Sequence, residues 1–373
     1  MTRIALHEAY TERYAAAHAA ATRGTPVVGV VGNSVPIELI LAAGRFPIVI
    51  AAELASETPH ADEFMERDVA PEIRSLFEQA LRGDLSFLEL LVVPRSTDGY
   101  LELFYYLKEV QRLGCGAMLP PLYLYDIQHS QTQRAYAYGL ERTRELKRRL
   151  EVIGGSDITD ATLDDAIERT NRWRQALQRL IDERRCGCLS GIEAMVAVGA
   201  GYFMGPDAHT SALETYLDER RPASSTRPRL LALTAVPLYH TSLHAAVEEA
   251  GATIVAEDGW WGARAGMSEI ATSGDLLTNI FDHYVHDSQS PRVIPPSLRD
   301  EWFTRELTRQ DVDGVLFYVP PGDLWFGWDY PRLLQLTERA SKRSLLLRDE
   351  ATTESGSAAI ATHVGAFIGG DRL

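Results

Sequence analysis

The chain has 373 residues, 45% of them hydrophobic and 24% charged, an ordinary balance for a soluble globular protein with material for roughly two or three domains. A net charge of −15 with no basic tract excludes nucleic acid as a partner. No stretch approaches the length of a membrane span. The first residues read as an amphipathic helix rather than a signal peptide, so a cytoplasmic location is expected.

In chain order, Pro26–Val31 is an apolar run that predicts a buried strand. The break Gly32-Asn33-Ser34-Val35-Pro36 follows, then a helix over Ile37–Ala43 and a second strand over Phe46–Ile50. This strand–helix–strand order predicts a parallel sheet, and the loop Gly32–Pro36, with Asn33 and Ser34, is placed where backbone amides meet an anion. Glu53–Asp68 reads as irregular and Pro71–Leu81 as helical. Leu88–Val93 is a third strand, broken at Pro94–Gly99 before a helix over Tyr100–Leu113, and Pro120–Tyr125 is a fourth extended run.

From Ser130 to about Tyr216 the pattern is helical, with long helices over Thr132–Val152 and Asp160–Arg185 and an apolar one over Gly187–Met204. The charges on 160–185 read as a solvated face. Residues 220–228 have linker composition. Strands are expected at Arg229–Thr234, Thr253–Ala256, Gly314–Val319 and Ser344–Arg348. Helices are expected at Thr241–Ala250, Ile270–Tyr284, Leu298–Arg309, from Tyr330-Pro331 onward, and at Ala358–Ile368. The domains so defined are an N-terminal α/β domain over 1–130, a helical connection over 131–225 and a C-terminal α/β domain over 226–373.

Functional loops of such sheets lie beyond the carboxyl ends of the strands. Those loops carry Ser96, Thr97 and Asp98; Tyr239 and His240; Trp260, Trp261 and Arg264; and Asp323 and Trp325. Trp260, Trp261, Trp325 and Arg264 are suited to stacking on an aromatic group or adenine and pairing with a phosphate, or to packing on the sheet edge. His240 and His244 stand four apart, a metal-compatible spacing, but without an accompanying acid no metal is assigned. His283 and His286 read as surface residues. The three cysteines make no disulfide framework and show no zinc spacing; Cys186-Gly187-Cys188 reads as loop or core thiols ahead of a metal pair.

Taken together, the order of motifs resembles the 2-hydroxyacyl-CoA dehydratase and benzoyl-CoA reductase subunits that carry an iron–sulfur cluster. Its markers run over nearly the whole chain: Pro26–Gly29 with Pro36, Glu38 and Gly44; Ser96–Gly99; Ile158–Asp160 with Asn171 and Arg174; Glu249–Ala252; Asp258 with Gly262–Arg264; Asp313–Val315; and Asp329–Pro331. The resemblance implies two Rossmann-like domains facing each other, and pairing with a homologous subunit (a hetero-oligomer, otherwise a homodimer). It further implies a four-iron–four-sulfur cluster on three cysteines, an ATP-driven activator delivering one electron, and a ketyl radical that permits water elimination or ring reduction.

At the positions matching the three cysteines this sequence has Ala70, Thr97 and Asp323. A cubane needs thiolates. The expectation is therefore a chain that binds no cluster or other cofactor of its own and has a CoA thioester as substrate or ligand. Three roles remain open. One is a cluster-free subunit; another is an acyl-CoA lyase in which Asp323, Thr97, Asp98 and His240 do acid–base work; the last is a non-catalytic CoA-ester binding module.

Overall fold

The computed structural model describes all residues except 1, 54–56, 116–118, 221–225, 235–239, 260–267, 286–293, 322, 324–325, 349–353 and 371–373. Two helices, α1 (Thr2–Thr11) and α2 (Ala15–Thr22), precede the first sheet. That sheet unit runs β1 (Val27–Val31), α3 (Ile37–Ala42), β2 (Phe46–Ile50), α4 (Pro59–Phe64), α5 (Pro71–Arg82), β3 (Leu90–Pro94), α6 (Asp98–Leu113) and β4 (Leu122–Tyr125). Its four strands are all parallel in the order β2-β1-β3-β4.

Four helices follow, α7 (Gln133–Gly154), α8 (Asp160–Arg185), α9 (Gly191–Met204) and α10 (Pro206–Glu219). The second unit is β5 (Arg229–Leu233), α11 (Ser242–Glu249), β6 (Thr253–Asp258), α12 (Leu276–Val285), α13 (Ser297–Leu307), β7 (Gly314–Val319), α14 (Phe326–Arg339), β8 (Arg343–Arg348) and α15 (Glu354–Gly369). Its parallel order, β6-β5-β7-β8, repeats that of the first sheet. The expected α/β architecture, two parallel sheets with a helical segment between, is the one observed.

The continuous apolar strands β1, β3 and β7 are buried along their whole length, as strands covered on both faces must be. Helix α9, rich in alanine and glycine, lies between the sheets. Its Ala194, Val198 and Phe203 belong to one apolar cluster that reaches Val27 and Val31 of β1 on one side and Leu230 and Leu316 on the other. The opposite face of the first sheet is covered by α7, α8 and, from the C-terminal half, by Ile270, Ile280 and Tyr284.

Several local expectations are corrected. The polar stretch before Asp68 contains α4, started by Pro59. Residues 270–275 precede α12 rather than opening it. Helix α14 begins at Phe326, upstream of Tyr330, because the Asp323 carboxylate accepts from Phe326 N at 2.7 Å; Pro331 then falls inside the helix. His283 is 1% exposed, not on the surface, because α12 is packed inward; its burial, reinforced by Arg174, drives its pKa well below the ordinary histidine value. On α8 the solvated face has two exceptions, Arg174 and Arg184, both buried.

Candidate active site

Two buried polar networks organise the carboxyl ends of the strands. The first lies under the loop after β1. Arg174 donates to Glu38 Oε1 at 2.5 Å, to Thr170 Oγ1 at 2.9 Å and to Asn171 Oδ1 at 3.3 Å. Asn171 in turn brackets the backbone of Ile270, with both hydrogen bonds at 2.8 Å. Glu38 and Arg174 are 0% and 3% exposed, so each charge depends on the other. Tyr284 reaches Ile37 N at 3.4 Å, and burial beside Glu38 holds its hydroxyl protonated far above the ordinary tyrosine range.

Asn33 and Ser34 are buried in this loop, and Asn33 bonds Tyr202. Beside them is a cavity of about 40 Å³ bounded by Asn33, Arg174, Tyr202 and Tyr284, which is space for water rather than for a nucleotide. The Asn33 and Ser34 side chains are thus packed inside the fold rather than displayed on an open face.

The second network sits at the carboxyl end of β6. Glu257 takes Arg184 Nη1 on Oε1 and His244 Nε2 on Oε2, both at 2.9 Å, while Arg184 Nε is held by Ile254 O at 3.0 Å. Burial alone would raise the Glu257 carboxyl; Arg184 and His244 outweigh it and hold it well below the usual range. The N-terminal helices reach the same place. Arg13 donates to Ala52 O at 2.9 Å past the end of β2 and lies over Phe203 and Tyr10.

Burial, with the charges of Arg13 and His244 adding to it, lowers the His240 pKa to about 4. That imidazole is neutral at pH 7. Tyr10 is raised to about 12, mainly by burial, with Glu257 contributing. The Arg13 guanidinium thus acts on both Tyr10 and His240, two buried groups whose protonation is shifted, an arrangement suited to proton handling.

On the neighbouring residue of β6, Asp258 takes Arg299 Nε at 2.7 Å; Arg299 Nη1 reaches Asp329 at 3.0 Å, and its guanidinium covers Phe326 at 5.3 Å.

The three positions that the resemblance gives to cluster cysteines all fall at helix starts. Ala70 is the N-cap of α5 and offers no side-chain cap. Thr97 caps α6, accepting from Tyr100 N at 3.1 Å. Asp323 caps α14. The α5 and α6 starts are tied together by Tyr100 donating to Glu72 at 2.8 Å.

Asp98 is exposed in the first turn of α6, and Ser96 is buried with its Oγ unmatched by any described hydrogen-bond partner. Among the described residues no hydrogen bond or ion pair joins Thr97 or Asp98 to Asp323 or His240. Tyr239, Trp260, Trp261, Arg264 and Trp325 lie outside the described residues. Of the spaced pair His240 and His244, the second bonds Glu257 through its Nε2.

Sequence reasoning missed Tyr10, Arg13, Arg184 and Glu257. The available signal was Glu257-Asp258, two acids closing an otherwise apolar strand.

The family model described as 2-hydroxyglutaryl-CoA dehydratase, D-component, matches residues 33–369. The chain is similar to the putative dehydratase subunit YjiM of Escherichia coli (strain K12), with 24% identity over 79% of this chain and 78% of that protein. It is also similar to the (R)-phenyllactyl-CoA dehydratase beta subunit of Clostridium sporogenes, at 19% over 88% and 87%. One of the benzoyl-CoA reductase subunits of Thauera aromatica is 23% identical over 77% and 75%. With residues 33–369 matched, nearly the whole of its length, this chain belongs to the 2-hydroxyglutaryl-CoA dehydratase D-component family.

Proposed function

We propose that this chain is a cluster-free subunit of a 2-hydroxyacyl-CoA dehydratase-like complex, forming an acyl-CoA pocket together with a homologous partner. The observation that carries the reading is the fate of the three aligned ligand positions. Ala70 has no donor, while Thr97 Oγ1 and one carboxylate oxygen of Asp323 accept from the backbone amides of Tyr100 and Phe326. None is a thiolate, and a cubane does not fit this set. No electron-transfer step is assigned to the chain. Pairing is supported by the dehydratase relative, which is itself a beta subunit.

The test is anaerobic co-purification with a cysteine-bearing family member encoded nearby, followed by iron analysis of the separated chains. The expected result is a stable pair in which this chain carries no stoichiometric iron. About four irons per copy of this chain, retained after Cys115, Cys186 and Cys188 are replaced, would overturn it.

A second reading, a redox-independent acyl-CoA lyase, is favoured by one observation: the neutral imidazole of His240 held beside Arg13. In it His240 is the base and Asp323 the acid, with Thr97 and Asp98 orienting water or the thioester carbonyl. Asp323→Asn keeps the helix cap and removes the acid. A turnover loss of about two to four orders of magnitude with binding retained supports this reading; unchanged turnover of the assembled pair rejects it.

A further inference from the structure

The C-terminal end of α8 closes in an unusual way. Gly187 adopts φ +71°, the left-handed conformation that glycine takes without a steric penalty. Both hydrogen bonds of a Schellman ending are present: Cys188 N donates to Glu183 O at 3.1 Å, and Gly187 N to Arg184 O at 3.0 Å. This motif folds the residue after the glycine back onto the start of the last helical turn, and the contact it makes there is ordinarily apolar. Here the two residues are Cys188 and Glu183.

With Cys186, which is exposed at the end of α8, they place two sulfurs and a carboxylate oxygen within 4.8 Å of one another. No other such trio exists among the described residues. Cys186 and Cys188 are joined as a disulfide, which corrects the expectation of two ordinary thiols.

We propose that, once this disulfide is reduced, Glu183, Cys186 and Cys188 bind one thiophilic divalent cation of the zinc class. A dithiol reductant gives two electrons and two protons to the disulfide. The S–S bond breaks, two thiols form, and the reductant becomes its own disulfide. The metal then displaces the two thiol protons and takes two thiolates and one carboxylate, a donor set suited to zinc, with water completing the shell.

The surroundings fit this use. The carbonyl end of α8 is the negative pole of a 26-residue helix and favours a cation there. Arg220 donates to Cys188 O, and the Arg229 guanidinium packs against Gly187, 3.1 Å from where a Cβ would stand. These two cations offset the negative charge of the ligands. The two oxidation states of one tripeptide thus exclude each other: a sulfur shared with its neighbour is not available to a metal.

The experiment uses the full-length Cys115→Ser chain, reduced and then freed of reductant without oxygen, and titrated with Co²⁺. The expected result is a near-ultraviolet thiolate-to-cobalt absorption that saturates at one equivalent and is bleached by Zn²⁺. The oxidised chain should show none. Cys186→Ser should abolish the band, with Cys188→Ser as the alternative if that variant does not fold. Glu183→Gln should weaken binding by at least about tenfold, with an unchanged circular dichroism spectrum. No band in the reduced protein, or a band indifferent to Cys186→Ser and Cys188→Ser, overturns the site. A titration unaffected by Glu183→Gln overturns the three-ligand assignment.

Discussion

Trp173 donates its indole N–H to Nδ1 of His209 at 2.6 Å, while His209 Nε2 faces the carbonyl of Ala197 at 2.7 Å. The pair fixes the tautomer: Nδ1 accepts, so the proton is on Nε2 and the ring is neutral. A second proton would face the Trp173 donor, in a site that is 0% exposed.

Acid stability should report this directly. Burial lowers the His209 pKa from the ordinary 6.5 to about 4. A group whose folded value is depressed in this way favours the native state fully above pH 6.5, and that contribution is lost as pH falls toward 4. The expected loss is about 3 kcal/mol for His209 alone. Carboxylates such as Glu257 act in a lower window, below about 4.5, so urea unfolding between pH 7 and 4.5 isolates the histidines. His209→Gln should flatten that slope, and an unchanged slope would refute the assignment.

Gly201 faces the same ring. A methyl group there would stand 2.7 Å from His209 Nδ1 and 3.1 Å from Trp173. Gly201→Ala should therefore break the indole–imidazole bond and cost about 1–3 kcal/mol, despite the higher helix propensity of alanine. Urea unfolding and the Trp173 fluorescence spectrum would both register it; a gain in stability would count against the packing described.

The Arg184–Glu257 pair is 3% exposed on both sides. Arg184→Met leaves Glu257 buried with His244 as its remaining partner, and a loss of about 3–5 kcal/mol is expected. The double change Arg184→Met with Glu257→Leu should recover a large part of it. A double-mutant cycle that sums additively would show that the two charges are not coupled.

The helix caps give a stability test that is independent of activity. Thr97→Ala should cost about 0.5–2 kcal/mol, since Tyr100 N loses its acceptor. Asp323→Asn should cost under about 0.5 kcal/mol, because asparagine caps as well as aspartate. Equal losses for the two would mean that the charge of Asp323, and not its capping oxygen alone, holds the start of α14.

The sheets were the most legible part of the sequence. Runs such as Val27–Val31 and Gly314–Val319 carry no charge, and only a strand buried on both faces keeps such a run out of water. The candidate site was less so. His283 and Arg184 look like surface residues along their own helices, and only packing from distant segments buries them. Conversely, several residues that carry the family resemblance are structural in this fold. Glu38, Asn171 and Arg174 form one buried network, Asp313 receives Arg229 N at 2.7 Å, and Asp258 and Asp329 share Arg299. Spacing recorded these pairings as a motif without revealing that they were contacts. The proton-handling candidates Tyr10 and His240 are far apart in sequence and share only the charge of Arg13, a relation no local pattern encodes.

Helix α12 is made late and used early. Its Ile280 and Tyr284, with Ile270 just before it, complete the outer cover of the first sheet, and Phe281 is pressed against Gly139 of α7. A nascent chain emerging from the ribosome therefore presents all four strands of that sheet long before their last covering layer exists. Until then the side chains of β1 and β3 on that face have only α3, α7 and α8 above them. A truncation placed at the linker before β5 would freeze the molecule at that stage, leaving an N-terminal fragment with an open apolar seam that needs a chaperone, or a second fragment supplied in trans, to stay in solution.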